Sequence, residues 1–498
     1  MEVRISGGAL LPVVACQGSE LDRDTLRGML TRLEADGFKN LLDFHVDLGP
    51  YTCIAGPNAA GKSNFFDAIE FLSLLSEHPF LEAAQRLRST GSRGADPKTL
   101  FWQGRNGIQS RMKLAAEMIV PGEVEDDFGR VVEPTTSFLR YELELEYVPP
   151  GINGYGYQGR IVLIREELRH INRGDAASKL PWPHSKKLFR DSVVTGRRSG
   201  TAYISTSTDP QGSGIVNVHQ DGGSRGQPRT SPAERAPRTV VSTTTTSDDP
   251  TILAARREMQ QWRMLALEPS AMRAPDSAAD SSRIAQNGAH LASALYRLET
   301  THSKDIYGTV AAEASDLTDV REIKVDFDPH RELLTLQARI GQGPFLPARA
   351  LSDGTLRFLA LCIIANDPEF SGVICMEEPE NGIHPGRIEA MVNLVRSLAV
   401  DPSDRPGRDN PLRQVIVNTH SPYFVSFQSE DDLLLAVPTA ISRVGGTSAT
   451  VRFEPLPDTW RSKRDTRSVS KAAIVEYLKS PPGAQLTLDI PGSLVDVG

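Results

Sequence analysis

Apolar residues recur along this chain in two rhythms. At 137–147 (SFLRYELELEY) and 160–168 (RIVLIREEL) they alternate with polar ones, the period of strands that bury one face. At 38–55 (FKNLLDFHVDLGPYTCIA) the pattern predicts two short strands around the Gly49-Pro50 turn. A Gly-containing loop follows. Then GKSNFFDAIEFLSLLSE sets Phe65, Phe66, Ile69 and Leu72 at helical spacing, which predicts a helix.

The rhythm fades over 201–250, where 26 of the 50 residues are Ser, Thr, Gly or Pro, including TTTT at 243–246. That composition predicts a long connector or a partly mobile insert. Beyond it, 284–298 (IAQNGAHLASALYRL) reads as a helix reached through a Gln-Asn-Gly turn, and 320–340 as a β-hairpin turning at Asp328-Pro329-His330. From 351 the order is loop, helix, strand, acidic loop, helix, strand: LSDGT, FLALCIIA, GVICM, EEPENGIHP, RIEAMVNLVRSLA and QVIVNTH. Strands alternating with helices predict an α/β sheet with crossover connections. No regular repeat or sustained heptad occurs, so no long coiled-coil arm is expected. Three parts follow: 1–130, a central 131–259 holding strands and the Ser/Thr/Gly/Pro-rich insertion, and 260–498.

Composition narrows the class without naming a chemistry. The 498 residues suffice for two or three cores or one large interrupted domain, and 39% hydrophobic with 24% charged residues is a soluble globular balance. A net charge of −8 argues against a generally basic nucleic-acid binder, so any DNA contact needs a local patch. Cys16, Cys53, Cys362 and Cys375 have no metal-ligand spacing, and three lie in apolar stretches, which predicts buried free thiols and a reducing compartment. The first residues carry little positive charge before a short apolar stretch, and no run reaches the roughly 18 apolar residues of a membrane span. A cytoplasmic protein with no membrane partner is expected.

The chemistry lies in four short runs. GPNAAGKSN at 56–64 fits G-x-x-x-x-G-K-[ST], between a predicted strand and a predicted helix, the context of a phosphate-binding loop. Its glycines let backbone N–H groups turn inward, and the helix N-terminus adds positive potential. Lys62 would reach the β- and γ-phosphates, and the Ser63 hydroxyl would ligate Mg²⁺. LSDGT at 351–355 puts Ser352 and the Gly354 N–H at another helix start, either as an ordinary cap or as a phosphate contact for a second subunit. ICMEEPENGIHP at 374–385 ends an apolar strand in Glu377, Glu378 and Glu380, and VNTHSP at 417–422 follows a strand with His420.

GPNAAGKSN, LSDGT, ICMEEPENGIHP and VNTHSP, in this order, resemble the ABC-type ATPases of the RecF/SMC group. The likeness is strongest to the shorter branch related to OLD-family ATPases, as in the ATPase subunits of the prokaryotic defence systems Septu and PARIS. It covers roughly 36–120 and 260–440. It implies an α/β ABC-type ATPase head: a P-loop NTPase with a mixed sheet and helices on both faces, here interrupted by a long central insertion. In that family two heads sandwich two ATP molecules. Carried onto this chain, Gly56, Pro57, Asn58, Ala59, Ala60, Gly61, Lys62, Ser63 and Asn64 bind ATP in cis, while Ser352, Asp353 and Gly354 close over it in trans. Glu377, ending the strand beside the phosphate loop, corresponds to the Mg²⁺-facing acid, a place where many ATPases have Asp and the OLD-like branch commonly has Glu. Glu378 corresponds to the acid that polarises the attacking water. Glu380 to His384 resemble the subunit-crossing loop, with a solvated turn the alternative for Glu380. His420 takes the switch position facing the γ-phosphate, and Gln103 is a candidate for the glutamine that touches Mg²⁺ and water. Lys39 is either near the nucleotide or solvated, and MLALEPSAMRAP at 264–275 resembles the branch without suggesting chemistry, its Met264 and the preceding Trp262 reading as core.

The resemblance implies an ATPase with ATP and Mg²⁺, a homodimer or higher homo-oligomer, a separately encoded nuclease or toxin effector, and possible DNA contact. No Toprim-type set of separated acids follows His420; Glu430-Asp431-Asp432 reads as a turn. Two rivals stand beside hydrolysis in a defence complex: a nucleotide-gated scaffold that turns over slowly, and a RecF-like repair ATPase.

Overall fold

A computed structural model describes residues 28–87, 96–104, 107–151, 159–196, 200–221, 226–301, 305–443, 446–464, 467–470 and 477. Cys16 and the expectation about the N-terminal stretch lie outside these residues. The chain opens with β1 (Met29–Asp36), β2 (Phe44–Asp47) and β3 (Tyr51–Ala55), followed by α1 (Lys62–Leu75) and α2 (Phe80–Arg86). The short pair β4 (Gln103–Gly104) and β5 (Gly107–Ile108) precedes β6 (Arg111–Ile119), and the pair β7 (Val124–Glu125) and β8 (Val131–Val132) follows it. Next come β9 (Phe138–Val148), β10 (Arg160–His170), α3 (Ala176–Lys179), α4 (Asp191–Val193), β11 (Ile204–Thr208), β12 (Gly214–Val218), β13 (Arg229–Pro232) and α5 (Val240–Thr243). Then α6 (Pro250–Gln260), β14 (Arg263–Leu265), α7 (Pro269–Met272) and β15 (Asp276–Ser277) lead into α8 (Leu291–Thr301) and α9 (Ile306–Leu317). The hairpin of β16 (Val320–Asp328) and β17 (Leu333–Ile340), β18 (Phe345–Pro347) and α10 (Asp353–Ala365) follow. Last are β19 (Gly372–Glu377), α11 (Ile388–Ser397), β20 (Arg413–Thr419), α12 (Pro422–Ser426), β21 (Leu433–Arg443) and β22 (Gly446–Pro455).

Two sheets organise these elements. One is antiparallel with eight strands, in the order β13-β12-β11-β10-β9-β6-β1-β2. The other has six, β14-β19-β20-β3-β21-β22, parallel except for β22. Alternation explains how the second sheet is covered on both faces. Ile54, Val373, Cys375, Ile416 and Leu434 join one core with α1, α6 and the antiparallel sheet. Cys53, Ile374, Met376, Val415, Val417 and Leu433 join the other, with α8, α9, α10 and α11. In α1, Phe65, Phe66, Ile69 and Leu72 are buried as their spacing predicts, each contributing about 1.5–3 kcal/mol. Cys53, Cys362 and Cys375 are buried free thiols, and Trp262 is core.

Three expectations change. The segment 201–250 supplies β11, β12 and β13, the outer edge of the eight-stranded sheet, and α5. The helix within 284–298 is entered through the expected Gln-Asn-Gly turn but begins only at Leu291, because Gly288 (φ 82°) and His290 (φ 69°) hold left-handed backbone that a helix cannot contain. The strand that ends in Glu377 is not beside the phosphate-loop strand: β20 lies between β19 and β3. The antiparallel sheet also runs across 130/131, pairing β6 with β9.

Candidate nucleotide-binding site

The parallel strands β3, β19 and β20 end together, and ligands of such sheets bind beyond the carboxyl ends of their strands. The Gly56 N–H donates to Thr419 O at 3.2 Å, tying the loop after β3 to the end of β20. Gly61 precedes α1 at φ 99°, and a Cβ there would sit 2.3 Å from Asn40 Nδ2, so the turn requires glycine. Asn40 in turn accepts from Asn64 Nδ2 at 2.8 Å. The loop therefore curls around Lys62, whose Nζ donates to Gly56 O at 2.7 Å and Pro57 O at 2.8 Å. Burial pushes this ammonium down to about 8, against the upward pull of Glu378, Glu377 and Glu380. The first turn of α1 carries no acid, so the helix N-terminus remains attractive to anions.

Across from the loop stand the carboxylates. Glu377 is exposed at the end of β19, and Asn418 Nδ2 donates to its Oε1 at 3.3 Å. Glu378 follows in left-handed backbone (φ 45°), held by its N–H to Asn418 O and by the Asn381 N–H to its carbonyl, both at 3.0 Å. His420 Nδ1 lies 2.6 Å from Glu378 Oε1, both side chains partly exposed. Glu380 departs from the solvated alternative: it is buried and accepts from the Thr419 hydroxyl.

A cleft of about 550 Å³ is lined by Asn58, Ala59, Gly61, Lys62, Ser63 and Asn64 of the loop, by Glu377, Glu378, Asn381 and Asn418, and by Ala266, Leu267, Glu268 and Arg357. Glu268, Arg357, Asn381 and Asn418 were not singled out in the sequence. Arg357 is one turn into the helix that LSDGT opens and Asn418 lies two positions before His420, so both were within reach of the motifs; Glu268 comes from the 264–275 stretch that suggested no chemistry. The residues of LSDGT lie elsewhere. Ser352 caps α10, accepting from the Thr355 N–H at 3.2 Å, and both Ser352 and Asp353 are exposed outside the cleft. Asp353 pairs with Arg273, and a Cβ on Gly354 would lie 3.4 Å from Ile383 Cδ1 of the acidic loop. Gln103 is not brought to the cleft: it sits exposed on β4, with its Nε2 3.5 Å from Lys98 O. Lys39 is neither solvated nor free, its Nζ pairing with Asp67 at 2.5 Å.

A loop with one lysine at a helix N-terminus suits a triphosphate, and the Ser63 hydroxyl and Glu377 carboxylate, which line the same cleft, are oxygen donors suited to a hard cation such as Mg²⁺. Residues 254–426 match the family described as "AAA domain, putative AbiEii toxin, Type IV TA system". The fold is a mixed α/β arrangement in which a parallel sheet carries a G-x-x-x-x-G-K-S loop at the carboxyl end of β3. The chain is 28% identical over 207 residues to structural maintenance of chromosomes protein 1 of Schizosaccharomyces pombe, 40% of this chain and 16% of that protein. With the Caenorhabditis elegans protein of the same name it shares 45% over 65 residues, 12% and 5% of the two chains. The match thus spans a sixth or less of either relative's length. Among solved structures it is similar to an Smc head bound to the C-winged helix domain of ScpA (12% identity, TM-score 0.43, 85% of this chain and 98% of that one). The SMC head domain from Thermotoga maritima matches at 11% identity and TM-score 0.33, over 85% and 98% of the chains. No helix among the described residues is long and apolar enough to cross a membrane.

Proposed function

We propose that the chain binds and hydrolyses ATP and closes as a nucleotide-sandwich dimer. One observation carries this reading: Lys62, Ser63, Glu377 and Glu378 line one cleft, whereas Ser352 and Asp353 stand exposed outside it. The first group can hold a triphosphate and a water; the second faces solvent, where the cleft of another copy can meet it. Lys62 leaves Gly56 and Pro57 for the β- and γ-phosphates, and the loop amides cradle the rest. Ser63 and Glu377 would hold Mg²⁺, which would supply positive charge against that developing on the phosphates. Glu378 orients the attacking water, and His420 fixes that carboxylate from the side.

The biological setting we propose is the cytoplasm of a prokaryote, with the head acting as ATPase or sensor subunit of an anti-phage complex beside a separate nuclease or toxin. The description of the matched family, a toxin of a toxin–antitoxin system, supports that setting. The chromosome-maintenance relatives lend support to DNA as a further partner. A second reading, a scaffold gated by ATP with slow turnover, draws on Glu377, whose longer side chain alters the shell around the cation where Asp is usual. Multiple-turnover phosphate release tests the proposal. Glu378→Gln should reduce the rate by at least about 100-fold and trap an ATP-dependent dimer in sedimentation. A rate unchanged by the substitution would sink the hydrolysis reading and leave the scaffold.

A further inference from the structure

Glu380 lies two residues beyond Glu378, yet it does not line the cleft. It is 7% exposed, and its Oε1 accepts from the Thr419 hydroxyl. The same Thr419 oxygen accepts from the Ser421 N–H at 2.9 Å, and the Thr419 carbonyl accepts from the Gly56 N–H at 3.2 Å. Thr419 is fully buried and immediately precedes His420. Thr419 therefore joins three segments, its carbonyl meeting the start of the phosphate loop and its hydroxyl meeting the acidic loop and the turn that presents His420 to Glu378. A purely structural acid would be expected to have both oxygens satisfied, since an unpaired buried polar atom costs about 1–3 kcal/mol. Glu380 Oε2 has no hydrogen-bond partner among the described residues.

Resting on the ATPase reading above, we propose that Glu380 is a positioning residue: through Thr419 it sets the His420 imidazole against Glu378, so that movement of the acidic loop adjusts the hydrolytic pair. The loop is placed to do this. Ile383 accompanies Glu380 in one turn, its N–H donating to Glu380 O at 3.0 Å, and Ile383 packs against Gly354 at the head of α10. A second copy that engages the exposed Ser352 and Asp353 would thus press on the loop that holds Thr419. The electrostatics agree. Burial, with a smaller push from Glu378, lifts the Glu380 carboxyl to about 7 against the opposing pull of Thr419, the Glu380 backbone and His420. Lys62, Arg357, Cys53 and Tyr477 all sense its charge.

The test uses the full chain with Thr419→Val, Thr419→Ser and Glu380→Leu, read by steady-state hydrolysis and by the ¹³C-labelled His420 ring resonance, assigned with His420→Gln. Thr419→Val is near-isosteric, and the serine keeps the hydroxyl should the valine fold poorly. Thr419→Val and Glu380→Leu should lower kcat by at least about tenfold at nearly constant KM and shift the His420 signal, while Thr419→Ser recovers most of the rate. Rates within about twofold of wild type in Thr419→Val and Glu380→Leu, with Glu378→Gln inactive, would overturn the positioning role and leave the ATPase reading intact. Should Glu378→Gln leave phosphate release unchanged, the ATPase reading fails by itself, and the His420 resonance still decides: a shift in Thr419→Val upholds the link from Thr419 to His420, and no shift overturns it.

Discussion

At two positions of the site a residue with a Cβ sits on left-handed backbone: Ala59 in the phosphate loop (φ 62°) and Glu378 after β19 (φ 45°). Such a conformation costs about 1–2 kcal/mol. Ala59 is exposed and its methyl gains little in return. Ala59→Gly should therefore stabilise the nucleotide-free protein by about 0.5–1 kcal/mol, a rise of about a degree in thermal midpoint. A fall in the midpoint would refute the strain. At Glu378 the strain is held by hydrogen bonds to Asn418 and from Asn381 and aims a carboxylate, so Glu378→Gly should keep the fold while abolishing phosphate release. The grouping of the candidate residues was the most legible part of the sequence: Lys62, Ser63, Glu377 and Glu378, which line one cleft, and His420, which meets Glu378, all fall in short contiguous runs. What a run cannot encode is burial: the solvated alternative for Glu380 fails because Thr419, 39 residues away, covers it.

The elements were legible where burial writes a period and obscure where it does not. β9 carries five buried apolar residues in strict alternation. In β11, β12 and β13 only Ile204, Val216 and Val218 are buried apolar residues, so Ser- and Thr-rich edge strands pass for a connector. Strand order is invisible in a pattern of periods, which is why β20 appeared only in the fold as the neighbour of β3. What anchors the edge is Glu166 on β10. Its backbone exchanges 2.9 Å hydrogen bonds with Thr206 of β11, and its carboxylate accepts from the Val240 and Val241 N–H groups at the start of α5 and from Tyr141. Burial nevertheless outweighs these donors and lifts the carboxyl from 4.5 to about 7. The folded state then holds the proton more tightly than the unfolded chain does. The stabilising contribution is complete below about pH 4.5 and is lost as pH rises through about 7, by at most about 1.4 kcal/mol per unit. Thermal midpoints measured between pH 5 and 8 should fall more steeply for wild type than for Glu166→Gln. Equal slopes would show that Glu166 is ionised across the range.

For the whole molecule the decisive matter is which cleft the signature loop serves. Ser352 and Asp353 are exposed at the start of α10, outside the cleft that Lys62 lines, so a single chain is an incomplete site if they act on the nucleotide. In a two-fold dimer each site would combine the phosphate loop of one copy with the signature of the other. Lys62→Ala and Ser352→Arg should each be inactive alone, the arginine removing an N-cap worth about 1 kcal/mol, which a large core tolerates. Mixed in equal amounts and allowed to exchange, half of the dimers carry one of each chain. Each mixed dimer has one site with an intact Lys62 and an intact Ser352, and one with neither. About a quarter of all sites are then whole, and phosphate release should recover to about a quarter of the wild-type rate. If the signature instead served its own chain, every site in the mixture would lack one group or the other, and the rate would stay at the level of the single variants. Recovery that also rises with total protein concentration would tie turnover to association, as expected if ATP draws the two heads together and hydrolysis releases them.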